Sequence, residues 1–212
     1  MKLYLLDTTD QTAMEDVYTI YRQAMPPAER KSRSDIFSLL RRRDYAITAA
    51  ENNDEIVGFS MVYRSLSARI GLLEYMATKP EARNSGIGKL LFQNALELMQ
   101  GRVMLVEVEA EAGAETDRIM QRRRQCYYNR LGCKLINNLP YEMPQLNAVK
   151  PPPLVLMYHD QGRDLALSRQ LLENWISTIY TDIYAQEESS NAIEKMIAAW
   201  ENAGAGVKSG SG

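Results

Sequence analysis

Residues 79–91 read KPEARNSGIGKLL, and the residue types and spacing within this stretch could hold a phosphate. Arg83 precedes Gly86 and Gly88, and an apolar, helix-like run begins directly behind them. The first turn of a helix leaves backbone N–H groups without partners, at the positive end of the helix dipole. The amides of Asn84 through Lys89 would then face outward, and the missing side chains at Gly86 and Gly88 would let a diphosphate reach the backbone. Alone the string is weak, because glycine also serves a plain strand-to-helix turn through its backbone freedom. Two nucleotide folds that use such glycines do not fit. A Rossmann unit needs the motif after an early strand, with an acid about 20 residues further on, and here three strand-like segments come first. A P-loop needs Gly-Lys followed by Ser or Thr, whereas Gly88-Lys89 is followed by Leu90.

The elements that must position this stretch can be read from periodicity. KLYLLD alternates as a strand, and residues 11–25 read as a helix with Val17, Ile20, Tyr21 and Ala24 on one face, stopped by Pro26-Pro27. A second helix resumes from Ser34, with Ile36, Leu39 and Leu40 inward. YAITAAE and EIVGFSMVYRSL, joined by NND, form a hairpin, and RIGLLEYMAT is the third strand of the meander. Behind the glycines a helix carries Ile87, Leu90, Leu91, Ala95, Leu98 and Met99 as its apolar stripe. RVMLVEVEAE is apolar enough for a central strand, AGAETD is a loop, and RIMQRRRQCYYNRLG is a helix ended by Gly132. CKLINNL and LVLMYHD are the last strands, with a proline-bounded loop between them. The order β-α-α-β-β-β-α-β-α-β-β predicts a mixed α/β sheet with helices on its faces.

Residues 160–203 differ. LALSRQLLENWISTIYTDIY is one long amphipathic helix, with Leu172, Trp175, Ile176, Ile179, Tyr180 and Ile183 along one side, and NAIEKMIAAWEN is a second. Three readings stay open for this pair: a hairpin packed on the main domain, a dimerisation arm, or a wall of a substrate cleft. Residues 204–212 are linker-like and expected to be disordered.

Bulk composition narrows the function. The chain has 212 residues, 45% hydrophobic and 25% charged, with a formal charge of −2, so nothing draws it globally to nucleic acid or an anionic membrane. The arginine triplets at 41–43 and 122–124 come without a nucleic-acid reader motif. The N-terminus is apolar only as far as Leu6, too short for a secretory signal, and no run approaches membrane-spanning length. Cys126 and Cys133 form no disulfide framework and read as reduced thiols in a cytoplasmic setting. His159 is the only histidine, so a metal site and a Ser-His-Asp hydrolase are both poorly supported.

Two motifs together are more specific than either alone. YMATKPEARNSGIGKLL is similar to the motif of the GCN5-related N-acetyltransferases (GNAT), a strand, a proline, then Arg/Gln-x-x-Gly-x-Gly/Ala opening a helix. CYYNRLGCKL resembles that family's tyrosine-bearing helix end, and LVEV resembles the strand between them. The resemblance covers residues 1 to about 159 and implies the GNAT fold: a mixed, mostly antiparallel central sheet with splayed central strands and helices on both faces, here with C-terminal helices added. It implies acetyl-CoA as co-substrate and no metal. The pyrophosphate would rest on the amides of Arg83, Asn84, Ser85, Gly86, Ile87, Gly88 and Lys89, and the pantetheine arm would pair with the backbone of Met76, Ala77 and Thr78. A backbone amide there would polarise the thioester carbonyl.

The implied reaction is direct attack of a neutral primary amine, on a small molecule or a peptide, on the thioester, without a covalent enzyme intermediate. Cys126 and Cys133 need not be nucleophiles. Tyr128 matches the tyrosine that protonates the departing sulfur, and Tyr127 takes a packing position. A base is expected for an ammonium substrate. Glu74 and Glu107 are the candidates, since acids within apolar strands are costly unless paired or functional. Glu109 shares the face of Glu107, while Glu29 and Arg30 fall in a loop that borders the acceptor in this family. Two departures stand out: Gln121 occupies a place commonly held by asparagine, and the link EAEAGAETDRIMQ is longer than usual. Arg122–Arg124 follow it, either solvated or within reach of the 3′-phosphate of CoA. A catalytically silent acyl-CoA-binding regulatory or scaffold module is the alternative function.

Overall fold

The computed structural model describes residues 1–145, 150–186 and 190–208. It divides into two compact units, the first running from Met1 to Met104 and the second from Leu105 to Gln145 and from Lys150 onward. Seven strands belong to one sheet, and four neighbouring pairs in it are antiparallel.

In the first unit β1 (Lys2–Leu5) is followed by α1 (Gln11–Ala24) and the short α2 (Arg33–Ser38). A meander of β2 (Tyr45–Asn52), β3 (Glu55–Arg64) and β4 (Ile70–Thr78) then leads to α3 (Ile87–Leu98). The strands lie in the order β1-β2-β3-β4, all antiparallel. Residues 45–50 of β2 and 56–63 of β3 are buried without interruption, the pattern of strands covered on both faces. Their two-residue turn places Asn53 and Asp54 at φ +52° and +60°, left-handed backbone that Asn and Asp tolerate. α1 buries Met14, Val17, Ile20 and Tyr21, and Ser32 caps α2 by accepting from the Asp35 amide.

β4 and α3 are seated by a close approach at Gly58. A side chain there would meet the Ala77 carbonyl oxygen at 2.9 Å and Leu91 Cδ1 at 3.3 Å. α3 buries Ile87, Leu91, Phe92 and Ala95. Leu90, expected in the apolar stripe, is instead 42% exposed. At 3.6 residues per turn, the face centred between Ile87, Ala95 and Met99 contains Phe92 and leaves Leu90 pointing away.

The second unit contains β5 (Val103–Glu109, whose first two residues belong to the first unit), α4 (Glu115–Arg130), β6 (Lys134–Leu135), β7 (Leu154–His159), α5 (Arg169–Thr178) and α6 (Ser190–Lys208). Its strands follow the order β5-β7-β6. α4 starts at Glu115, within the segment read as a loop from the sequence, and Glu115 and Asp117 complement the dipole in its first turn. Gly132 ends it at φ +94°. The strand expected over 133–139 shrinks to two residues, because Asn138 turns left-handed at φ +61°. α5 continues into a π-helical turn, Ile179–Ile183, and the apolar side read from the sequence is buried throughout. Arg169 reaches Glu173 (3.0 Å), Glu194 (2.5 Å) and Glu201 (2.7 Å), clamping α5 to α6. α6 runs through Lys208, and residues 209–212 lie outside the described residues.

Candidate active site

The first unit builds the phosphate-binding stretch. β4 ends in half-buried Met76, Ala77 and Thr78, paired on one edge with Ser60, Phe59 and Gly58 of β3. A single 3-10 turn, Pro80–Ala82, redirects the chain, with the Arg83 amide donating to the Pro80 carbonyl at 3.2 Å. Ser85 Oγ donates to the Ala82 carbonyl at 2.6 Å, and Asn84 adopts φ +63°. Gly86 caps α3 at φ +86°, a conformation that strains any residue with a Cβ, and a Cβ there would meet nothing within 4 Å. Gly86 is therefore required by its backbone, and the space above it is open. The first bond internal to α3 runs from the Leu90 amide to the Gly86 carbonyl at 3.1 Å. The amides of Gly86, Ile87, Gly88 and Lys89 are thus the orphan donors of the helix start. Ile87 anchors that start in a core of Ala50, Val57 and Leu91, while Arg83, Asn84, Ser85 and Lys89 are exposed.

Glu74 lies in the same unit. Met61 pairs with Tyr75 and Val62 with Leu73, which leaves Glu74 as the extra residue of a β-bulge; bulges re-aim side chains and concentrate beside active sites. Its side chain is 2% exposed, with Lys31 Nζ at 2.5 Å and the Tyr45 hydroxyl donating at 2.7 Å. Burial first, then the Glu74 charge, pushes the hydroxyls of Tyr45 and Tyr75 well above their ordinary range. Lys31 belongs to the loop after Pro26-Pro27, which is held at three further points. Tyr75 donates to the Glu29 carbonyl at 3.1 Å, the Lys31 amide donates to the Tyr21 hydroxyl at 2.8 Å, and Arg30 Nε donates to the Met25 carbonyl at 2.7 Å. Glu29 and Arg30 are half-buried rather than freely exposed.

The second unit holds the other candidates. Glu107 and Glu109 share a face of β5 and have separate partners. Tyr141 donates to Glu107 Oε1 and Tyr184 to Oε2, the latter at 2.5 Å, while Arg124 pairs with Glu109 at 2.7 Å. Tyr128 is 9% exposed on the last turn of α4, its carbonyl accepting from the Leu131 and Cys133 amides at 3.0 Å each. Its ring meets Tyr127 edge-on at 5.4 Å, and burial raises its hydroxyl above the usual tyrosine range. The Cys133 thiol is buried and pushed up to about 12, so it is a thiol, not a thiolate, at neutral pH. Cys126 is exposed. Gln121 accepts from the Ala112 amide at 2.7 Å and Arg122 pairs with Glu111 at 2.6 Å, so both fasten the long link that precedes them. Among the described residues no group of three His, Cys, Asp or Glu is gathered for a metal ion, and no helix is long and apolar enough to cross a membrane.

Sequence reasoning missed Lys31, Tyr45, Tyr141 and Tyr184, the partners of the two glutamates. No local signal marks them; only the cost of an acid inside an apolar strand says that partners must exist.

A glycine-capped helix thus follows a bulged strand that ends an antiparallel meander. The model of the acetyltransferase (GNAT) family matches residues 14–122, just over half of the chain, and the protein belongs to that family. The match includes β4, the glycine stretch and β5, and stops short of Tyr128. A Bacteroides thetaiotaomicron protein assigned to the GNAT family superposes with a TM-score of 0.70 at 21% identity, over 89% of this chain and 100% of that one. An aminoglycoside 6′-N-acetyltransferase complexed with coenzyme A gives 0.57 at 16% identity, over 74% and 96%. The ribosomal-protein-S18-alanine N-acetyltransferase from Escherichia coli gives 0.52 at 19%, over 78% and 99%. No curated protein matches the chain in sequence.

Proposed function

We propose that the protein transfers the acetyl group of acetyl-CoA to a primary amine of a small molecule or peptide by direct attack. The observation that carries the reading is the start of α3. Gly86 is left-handed with open space above it, and its amide is the first of four orphan donors within the family-matched region. The residues present fit a diphosphate, with the amides of Asn84 to Lys89 as donors, Arg83 and Lys89 as flanking cations, and the backbone of Met76, Ala77 and Thr78 along the pantetheine arm. Acetyl-CoA supplies the activated acyl group. The amine nitrogen bonds to the carbonyl carbon, the carbon–sulfur bond breaks, and the sulfur leaves as a thiol. Tyr128 is the proton donor to that sulfur; its raised hydroxyl keeps its proton at neutral pH. Glu107 takes the proton that the attacking ammonium must lose. Glu74 serves by holding Lys31 and the loop after Pro26-Pro27. The free thiols of Cys126 and Cys133 support a reducing, cytoplasmic setting.

Two named neighbours act on an aminoglycoside and on an alanine of a ribosomal protein, and both acceptor types belong in the test. Thiol release from acetyl-CoA is measured with an aminoglycoside, a polyamine, a free amino acid and a peptide with a free N-terminus. Tyr128→Phe should lower turnover about 10²-fold or more while acetyl-CoA binding is kept; equal turnover rejects Tyr128 as the acid. One observation favours a catalytically silent acyl-CoA-binding module: both candidate carboxylates already have partners. Tight acetyl-CoA binding without turnover on any acceptor would decide for that reading.

A further inference from the structure

Glu107 receives a phenol on each carboxylate oxygen, and neither phenol comes from the sheet. Tyr141, in the proline-bounded segment after β6, donates to Oε1; Tyr184, from the helical extension, donates to Oε2 at 2.5 Å. All of these residues lie in the second unit. A second observation converges on the same place. The extension carries the π-helical turn Ile179–Ile183 directly before Tyr184. Such turns make up well under 1% of residues and cluster at functional sites. Tyr180 and Tyr184 are both buried at its two ends. Tyr180 donates to the Glu142 carbonyl, beside Tyr141, while Tyr184 reaches Glu107. The extension therefore grips both the carboxylate and the segment that bears its other phenol.

We propose that Tyr184, together with Tyr141, is a positioning residue for Glu107, so that the C-terminal helical extension is a working part of the acetyl-transfer apparatus. The proposal rests on the reading of Glu107 as the base. A phenol on each oxygen fixes the carboxylate plane. Hydrogen bonds to the charged form favour that form. Tyr141, Tyr180 and Tyr184 stand near Glu107 from the segments packed around it, and Glu109 lies on its own strand, itself paired with Arg124. Burial and the Glu107 charge keep Tyr141 protonated, hence a permanent donor.

The test uses the full chain labelled with carboxyl-¹³C glutamate, with the Glu107 resonance identified by its loss in Glu107→Gln. Removing one donor to a charged acceptor in Tyr184→Phe should raise the Glu107 titration midpoint by about one pH unit. A Tyr184 that stabilises the fold without acting on the carboxylate would change the melting temperature and leave the midpoint of the folded protein in place. An unmoved midpoint overturns the proposal. Should Tyr184→Phe fail to fold, Tyr141→Phe is read in the same way, because it serves the other oxygen. The dependence on the base reading is checked separately, by acetyl-CoA turnover of Glu107→Gln with the amine panel. A moved midpoint alongside full Glu107→Gln turnover overturns Glu107 as the base, while a moved midpoint with turnover lost supports both statements.

Discussion

Glu74 and Glu107 are both acids on apolar strands, one in each compact unit, and they are held in different ways. Glu74 sits at a bulge with its side chain 2% exposed, between the ammonium of Lys31 and the hydroxyl of Tyr45. Its partner Lys31 lies on a connecting loop, so the carboxylate ties that loop to the sheet. Glu107 sits in the regular alternation of β5, half-buried, with one phenol on each oxygen. A cation 2.5 Å away stabilises a carboxylate but competes for the proton it would accept. Neutral donors orient it without themselves cancelling its charge. The two environments therefore suit the two tasks proposed above, Glu74 to fasten and Glu107 to react.

The largest effect expected from this contrast is catalytic. Glu107→Gln should lower turnover about 10²-fold or more, the usual scale for a lost general base, with acetyl-CoA affinity unchanged. Glu74→Gln should act first on folding. It leaves Lys31 partly buried without its counter-charge, and breaking a buried pair by removing one partner costs on the order of 3 kcal/mol. Lys31 keeps some contact with water, its side chain being 15% exposed, so the low end of that scale applies. Urea unfolding and steady-state rates on the same two proteins separate these outcomes. A Glu74→Gln enzyme that folds normally but has lost turnover would reverse the assignment. The double variant Lys31→Met/Glu74→Leu sharpens it further, since apolar replacement of a whole buried pair is often neutral. That variant should recover most of the stability lost in Glu74→Gln.

The contrast was only half legible in the sequence. The order of strands and helices was readable because periodicity and capping act locally; the Asn53-Asp54 turn, Gly86 and Gly132 each announce their geometry in their own residue type. The glutamates were legible as anomalies, because an acid amid Val and Leu demands a partner. Their partners were not, since Lys31 is 43 positions from Glu74 and Tyr184 is 77 positions from Glu107. No spacing rule links residues brought together by tertiary packing. Leu90 failed for a related reason: its apolar character fits the helix stripe, but the buried face is chosen by what lies opposite, and Phe92 occupies it.

Asp160 extends the comparison to a third carboxylate, one whose cation is half in water. It is buried at 3% exposure, accepts from Lys134 Nζ at 2.8 Å, and caps the following turn through the amides of Gly162 (3.0 Å) and Leu165 (3.4 Å). Lys134 first, and these amides after it, hold its carboxyl down to about 2. The folded state thus favours the ionised form more than the unfolded chain does, where an aspartate titrates near 3.9. This contribution is complete above about pH 4 and disappears as the pH falls through about 2. With Lys134 46% exposed, screening reduces the ion-pair share, and Asp160→Asn should cost about 1–2 kcal/mol at pH 7. The deficit should close between pH 4 and pH 2, measured by urea unfolding across that range. Because the side-chain partners of Asp160 are Lys134 and the amides of its own turn, its loss should leave the turnover of the folded enzyme unchanged. A fall in turnover without a pH-dependent stability difference would mean that burial and pairing do not separate fastening acids from reacting ones in this protein.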